Sequence, residues 1–383
     1  MKIAMLVKSF MTTGGANRYA VELSTRLARR GHEVHVYAQR WDPALVDGVT
    51  LHRVPSMLRP RFLNSLFYAL RVRSLTRSAG FDVIHSHQRT IHHHVISMHH
   101  PCYEAGRNPL RLLGSPRHWV YRWLESRQFG CRPLTHVIAV SDSTKRDILA
   151  RYPLEPSRVR VIHPGVDVGR MASGSSPERR REIRMQFGIG ESDLALILVG
   201  SEFKRKGLQF AIEAMRRLGE EGRVRGALHL FVLGGGGQGE FRRQAAVAGL
   251  EGRVHFIGLH PHVEHYYRAA DIFLLPTLNE PFGMAVLEAM AAGLPVITSR
   301  DSGVAELLLE GRIAILLKDP RDTREIADAV ASLSDAGERL AMGQRAREAV
   351  RSLTWDRMAE SVESLYGEAV RLRRERQDHS GLL

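Results

Sequence analysis

The chain has 383 residues, 44% of them hydrophobic and 25% charged, and carries a formal net charge of +14. That length suits two domains of about 150 to 200 residues, and the charge asks for an anionic partner: nucleic acid, anionic lipid or a phosphorylated substrate. Two cysteines, Cys102 and Cys131, give neither a disulfide framework nor metal-type spacing, and no window approaches 18 uncharged apolar residues, so no membrane-spanning helix is expected.

In chain order, KIAMLV is too short for a secretory signal and reads as a first buried strand. The expectation is therefore a cytoplasmic protein, soluble or peripheral to a membrane. Short β-rich runs then alternate with amphipathic helices, the pattern of a parallel sheet covered on both faces. The first set of strands is KIAMLV, HEVHVYA, VTLHRV, DVIHSH, HVISMHH, HVIAVS and VRVIHP; the second is LALILVG, LHLFVLG, VHFIG, IFLLPT, PVITS and IAILL. Each set would build one doubly wound α/β sheet.

After the first strand, Gly14 and Gly15 open a helix, so their amides can approach an anion; a plain tight turn explains the same pair. Residues 85–100 hold seven histidines. His85 and His87 share one strand face and HHH lies between strands, so zinc is conceivable, but no Cys, Asp or Glu stands at ligand spacing and no metal is expected. His99 and His100, at the end of a strand, are better placed for substrate contact. Residues 103–132 carry six Arg and two Glu interleaved with Leu112, Leu113, Trp119, Tyr121 and Trp123. Basic heads over apolar bodies suit an anionic membrane surface, and an ordinary amphipathic helix is the alternative. The aromatics do not show the open-sheet pattern of base stacking, so no nucleic-acid partner is expected.

The polar segment GRMASGSSPERRREIRMQFG, residues 169–188, reads as the linker. The domains are then residues 1–168 and 169–353, followed by a helix and frayed tail over 354–383. Lys204, Arg205 and Lys206 crowd the end of strand LALILV, where open sheets bind ligands; they suit a diphosphate or are a solvated charge run. Strand IFLLPT leads through TLNE to a helix opened by Pro281 and closed by Gly293. Glu280 and Glu288 stand eight positions apart, which in one helix is about 12 Å. That is wider than the roughly 5 to 9.5 Å of a glycosidase carboxylate pair. It fits a ligand with hydroxyls at each end and negative charge between, the layout of a nucleotide sugar, although two helix-capping acids would read the same way.

TGGANRYAVELSTRLARRGHEV, DVIHSH, AVSDSTKRD, VIHPGVD, KGLQFAIEAM and above all EPFGMAVLEAMAAGLPVITS resemble the retaining glycosyltransferases of GT-B architecture, family 4, over nearly the whole chain. Within that family, GSEFKRKG, and YRWLESRQFG followed by LEPSRVRVIHPGV, are similar to the branch that glucosylates lipopolysaccharide core. The resemblance implies two Rossmann-like domains facing a cleft and a C-terminal helix crossing back to the first. It implies transfer of a hexose, glucose foremost, from a UDP-sugar to a membrane-associated glycan, with no cofactor or metal; a mannosyl- or other hexosyltransferase with a different acceptor is the alternative, and a basic membrane- or nucleic-acid-binding protein the non-enzyme one. Glu280 would contact the donor sugar and Glu288 the ribose. The backbone of Phe282, Gly283 and Met284, with Arg205 and Lys206, would meet the diphosphate. Gly14, Gly15 and Arg18 would bind donor phosphates from the first domain, and His99 or His100 would face the reacting centre. Glu280, Lys206 and these two histidines are the catalytic candidates. Ser201 departs from the pattern, standing where many members carry a phosphate-gripping arginine.

Overall fold

A computed structural model describes residues 1–45, 48–57, 59–103, 115–131, 134–173, 176–308 and 311–380, with side chains as far as residue 375. The chain divides into two compact units, Met1–Pro164 with Trp355–Leu383, and Gly165–Thr354.

The first unit is built on a seven-stranded parallel sheet of order β5-β3-β1-β6-β7-β8-β9. Its strands are β1 (Lys2–Leu6), β3 (Glu33–Ala38), β5 (Thr50–Arg53), β6 (Val83–Ser86), β7 (Val95–Met98), β8 (His136–Ala139) and β9 (Val159–Val161). All seven runs expected in this half are strands of it. The two-residue β2 (Ser9–Phe10) and β4 (Arg40–Trp41) pair separately and are too short to carry a periodic signal. Ile3 to Leu6 are fully buried, as a central parallel strand covered on both faces requires. The helices are α1 (Gly15–Arg29), α2 (Arg61–Thr76), α3 (Pro116–Gly130), α4 (Asp142–Arg151) and, from the far end of the chain, α13 (Trp355–Ser380).

The second unit has a six-stranded parallel sheet, β12-β11-β10-β13-β14-β15, from β10 (Leu194–Val199), β11 (Leu228–Leu233), β12 (Val254–Gly258), β13 (Ile272–Leu275), β14 (Val296–Ser299) and β15 (Ala314–Leu317). The order reverses between β10 and β13, and a crevice outside the carboxyl ends of such strands is where open α/β sheets bind ligands. Helices α5 (Val168–Ser173), α6 (Pro177–Gln186), α7 (Leu208–Glu221), α8 (Gly239–Val247), α9 (Val263–Ala269), α10 (Met284–Ala291), α11 (Thr323–Ser332) and α12 (Ala336–Val350) complete it.

Two expectations are corrected. Residues 169–188 are not a linker: Met171 and Ile183 are buried, and Arg180 and Arg184 reach the Asp271 carboxylate at 2.6 and 2.9 Å. The charge of these two arginines is spent on one mostly buried carboxylate and on the carbonyls of Arg268, Ala269 and Gly190, which ties the segment to the second unit although most of its described residues are exposed. Nor is the described part of the tail frayed, because α13 continues to Ser380; its Arg, Glu and Gln are good helix formers. Residues 381–383, like residues 104–114 of the basic segment with Leu112 and Leu113, lie outside the described residues.

Candidate functional site

In the second unit three loops leave the carboxyl ends of adjacent strands and are packed through glycines. Gly207, at φ 76°, caps α7 and lies so close to Pro276 that an added Cβ would sit 1.9 Å from the Pro276 carbonyl oxygen. Gly234 lies equally close to the Gly200 carbonyl, and a Cβ on Gly236 would enter the ring of Phe203. The Leu278 N–H donates to the Arg205 carbonyl at 2.9 Å and ties the β10 and β13 loops together, and the Ser299 hydroxyl at the end of β14 donates to the Thr277 carbonyl of the β13 loop at 2.6 Å. Glu202 adopts φ 58°, alone among the described non-glycine residues in that region. Strain of this kind gathers where a loop is held for function.

These loops bring Lys206, Arg205 and Glu280 together. The Lys206 ammonium donates to the Glu280 carboxylate, and both side chains are about nine-tenths buried. Arg205 reaches the same carboxylate at 3.3 Å while its Nε donates to Glu202 at 2.8 Å. Burial works to raise the Glu280 pKa, but the Lys206 and Arg205 charges outweigh it and hold the acid below its ordinary range. Glu280 is therefore an acceptor only. Exposed Lys204 leaves the loop cluster Glu202, Lys204, Arg205, Lys206 and Glu280 with one net positive charge.

Glu280 precedes α10, and this changes the geometry read from sequence. Pro281 does not open the helix. Gly283, at φ 107°, is its N-cap and Met284 its first residue, because Glu280 is drawn into a bridge with Ser302 and the Phe282 carbonyl accepts from Val304 N–H at 2.7 Å. The 12 Å helical spacing of the two acids does not apply, since only Glu288 is helical. Met284 and Ala285 take the first helical positions, whose N–H groups an α-helix leaves without intrahelical partners. Glu288, one turn on, accepts a hydrogen bond from Tyr267 Oη at 2.9 Å. Sequence reasoning missed Tyr267: it lies on α9, 21 residues upstream, and no spacing rule links the two.

In the first unit Gly14, at φ 83°, caps α1, and Gly14 and Gly15 are exposed after β2. Arg18, one turn on, is buried and lies 3.6 Å from Glu22. His99 and His100 follow the carboxyl end of β7. His99 Nε2 is 3.0 Å from His87 Nδ1, and its ring meets Tyr19 edge-on at 4.7 Å. His100 Nδ1 is buried and has no hydrogen-bond partner among the described residues. Burial lowers His99 to about 4 and, with Arg89 nearby, His100 to about 3. Both are neutral at pH 7. His85 and His93 are spent on structure: His85 lies between Tyr366 Oη at 2.6 Å and Ser97 Oγ at 2.8 Å, and His93 meets Thr90 and the Gln128 carbonyl. Among the described residues no three His, Cys, Asp or Glu are grouped to hold a metal ion.

Residues 13–170 match the Glycosyltransferase Family 4 domain, and residues 179–349 the Glycosyl transferases group 1 domain. The chain belongs to the group 1, family 4 glycosyltransferases. It is 28% identical over 354 residues to the lipopolysaccharide glucosyltransferase WaaG of Escherichia coli (strain K12), covering 91% of this chain and 93% of that one. The crystal structure of WaaG, a glycosyltransferase involved in lipopolysaccharide biosynthesis, matches at TM-score 0.86 and 25% identity over 95% of this chain and 99% of that one. The two Rossmann-like domains are thus those of GT-B architecture. The D-inositol 3-phosphate glycosyltransferase of Corynebacterium glutamicum (strain R) is 28% identical over 398 residues, 94% of this glycosyltransferase and 92% of its relative. Anabaena HepE, in complex with UDP-glucose, shares the fold at TM-score 0.75 and 19% identity over 96% and 100% of the two chains.

Proposed function

We propose that this glycosyltransferase moves a hexose, glucose foremost, from a UDP-sugar to a membrane-associated glycan such as a lipopolysaccharide core, with retention of configuration and without metal or cofactor. The observation that carries the reading is the buried Glu280 carboxylate, held ionised by Lys206 and Arg205 beside the start of α10. Such a group accepts hydrogen bonds from sugar hydroxyls, while the cations and the helix terminus favour a neighbouring diphosphate. Glu288 then holds the ribose, oriented by Tyr267. Phe282, Gly283 and Met284 offer backbone to the phosphates, and Gly14, Gly15 and Arg18 supply contacts from the first unit. Donor class and acceptor draw support from what WaaG and the HepE complex are named for.

Neither histidine is a proton donor at pH 7, and no nucleophile is offered. We favour transfer on one face: the bond from the anomeric carbon to the leaving phosphate breaks as the acceptor oxygen bonds on the same side, and a phosphate oxygen takes the acceptor proton. Lys206 steadies the charge on the departing diphosphate. His99 or His100 positions the reacting sugar, and His100 holds the unspent nitrogen.

UDP release measured over a panel of donors, with lipopolysaccharide core and with inositol 3-phosphate as acceptors, tests the reading. Turnover with UDP-glucose and the core supports it. Turnover only with inositol 3-phosphate would favour the second reading, which the D-inositol 3-phosphate relatives keep open. We further propose residence at the inner face of the cytoplasmic membrane, since α3 exposes Trp119 and Trp123 by 52% and 41% beside Arg117, Arg122 and Arg127. Vesicle binding should rise with anionic lipid and fall with salt; equal binding to neutral vesicles would remove this contact.

A further inference from the structure

A groove of about 1020 Å³ opens in the first unit at the edge of the sheet opposite to His99 and His100. Its walls are α2, α3, the residues leading into β6 and β7, and α13. Gly80, Phe81 and His94 line it just before the first residues of these strands, whereas the two candidate histidines follow the last residue of β7. The strand between rises about 10 Å, so the groove is no part of the site described above.

Four guanidinium groups, those of Arg73, Arg77, Arg127 and Arg373, line it, and His92 and His94 join them; among the described residues no Asp or Glu does. Elsewhere the chain pairs its arginines freely, as in Arg26 with Glu22 and Asp356, Arg30 with Glu360 and Glu363, and Arg216 with Glu213. Among the described residues none of the four groove arginines has an ion-pair partner. Arg373 donates to the Asp82 carbonyl, and Arg127 lies over the Trp123 ring at 5.7 Å. Burial, and then Arg73, Arg77 and Arg373, push the His92 pKa down, which is how a ring responds to unneutralised positive charge around it.

Most of the remaining lining is apolar, with Phe81, Ile84, Ile91, Trp123 and Leu70, the last exposed by 47%. Four cations, of which only Arg373 has a carboxylate, Asp82, near enough to act on it, beside the exposed side chains of Leu70 and Trp123, are costly unless something anionic and partly apolar offsets them.

We propose that this groove is a binding site for the phosphorylated headgroup of an anionic lipid. The phosphate oxygens lie on Arg73, Arg77, Arg127 and Arg373, and the first part of the lipid body lies against Ile91 and Trp123. Arginine suits this task because its planar fork meets two phosphate oxygens at once. The site is independent of donor binding.

Calorimetric titration of the full chain with dihexanoyl phosphatidic acid, kept monomeric below its micelle concentration, tests it. Binding should saturate at one lipid per chain, and dihexanoyl phosphatidylcholine should bind far more weakly. Arg73→Gln combined with Arg77→Gln should weaken phosphatidic acid about tenfold or more, and Arg127→Gln is a second variant should that pair lower the melting temperature. Trp123→Ala should weaken the lipid but leave inorganic phosphate unchanged. The distant charge control Arg321→Gln with Arg324→Gln should bind as the parent does. Inorganic phosphate binding as tightly as the lipid would overturn the proposal, as would an equal loss in the charge control or no saturable binding. UDP affinity, measured in parallel, should not change in any of these variants.

Discussion

Glu280 and Glu288 look alike in the sequence and differ in the fold. Glu280 is clamped by two cations outside the helix, whereas Glu288 is helical and bonded to a tyrosine hydroxyl. Replacing Glu280 by Ala leaves the Lys206 charge buried and unpaired, which should cost about 3 to 5 kcal/mol of stability as well as transfer activity; chemical denaturation checks the first and UDP release the second. Glu280→Gln keeps the volume and separates the two effects. Because the folded pKa of Glu280 lies below its unfolded value, its contribution is complete above about pH 4.5 and is lost as the pH falls through the folded value. The parent should therefore lose stability in strong acid that Glu280→Gln does not. At Glu288, substitution by Ala should weaken UDP about tenfold or more with little change in stability, and unchanged UDP affinity by calorimetry would remove the ribose assignment. Their place on either side of Pro-Phe-Gly was legible in the sequence. Their separation was not, because a positive φ at Gly283 breaks the helix on which the spacing was measured.

At the scale of elements, all thirteen long strand runs were legible, since parallel strands buried on both faces read as continuous apolar segments. The loops between them were legible only in part. Gly207 caps α7, but what requires a glycine there is the Pro276 carbonyl from another loop, and no local pattern carries that. The contrast with Gly293 measures this. Gly293 has φ 81° and open space around it, so Gly293→Ala should cost only the left-handed penalty of about 1 to 2 kcal/mol. Gly207→Ala adds an overlap with backbone and should cost several kcal/mol more, with loss of activity because the Lys206 loop must move. Melting temperatures of the two variants, side by side, decide it. Residues 169–188 escaped notice for the same reason, their buried partner Asp271 being far away in sequence.

For the molecule as a whole, the histidines dominate the response to acid. His85, His87, His93 and His94 are buried with pKa values pushed far down, first by desolvation. The unfolded chain takes up their protons near pH 6.5 and the folded chain does not, so stability falls as the pH drops below that value. Each such group contributes at most about 1.4 kcal/mol of this loss per pH unit. The first unit should melt well before pH 4.5, where the Glu280 pair of the second begins to fail; circular dichroism with denaturant at pH 7.5, 6 and 5 resolves the two windows. Neutral His99 and His100 also predict a rate profile flat from pH 6 to 8, and a limb near 6.5 would show that one of them titrates in the reaction.

The chain leaves the first unit at Pro164 and returns to it at Trp355. What returns is not peripheral: Trp355 and Tyr366 are buried, Tyr366 closes the His85 network, and Asp356, Glu360 and Glu363 take Arg26, Arg30 and His32 of α1 and the turn after it. On the ribosome, then, the unit begun first is finished last. Residues 165–354 have every strand of their sheet available while the earlier half still waits for its final helix, so the order of completion runs opposite to the order of synthesis.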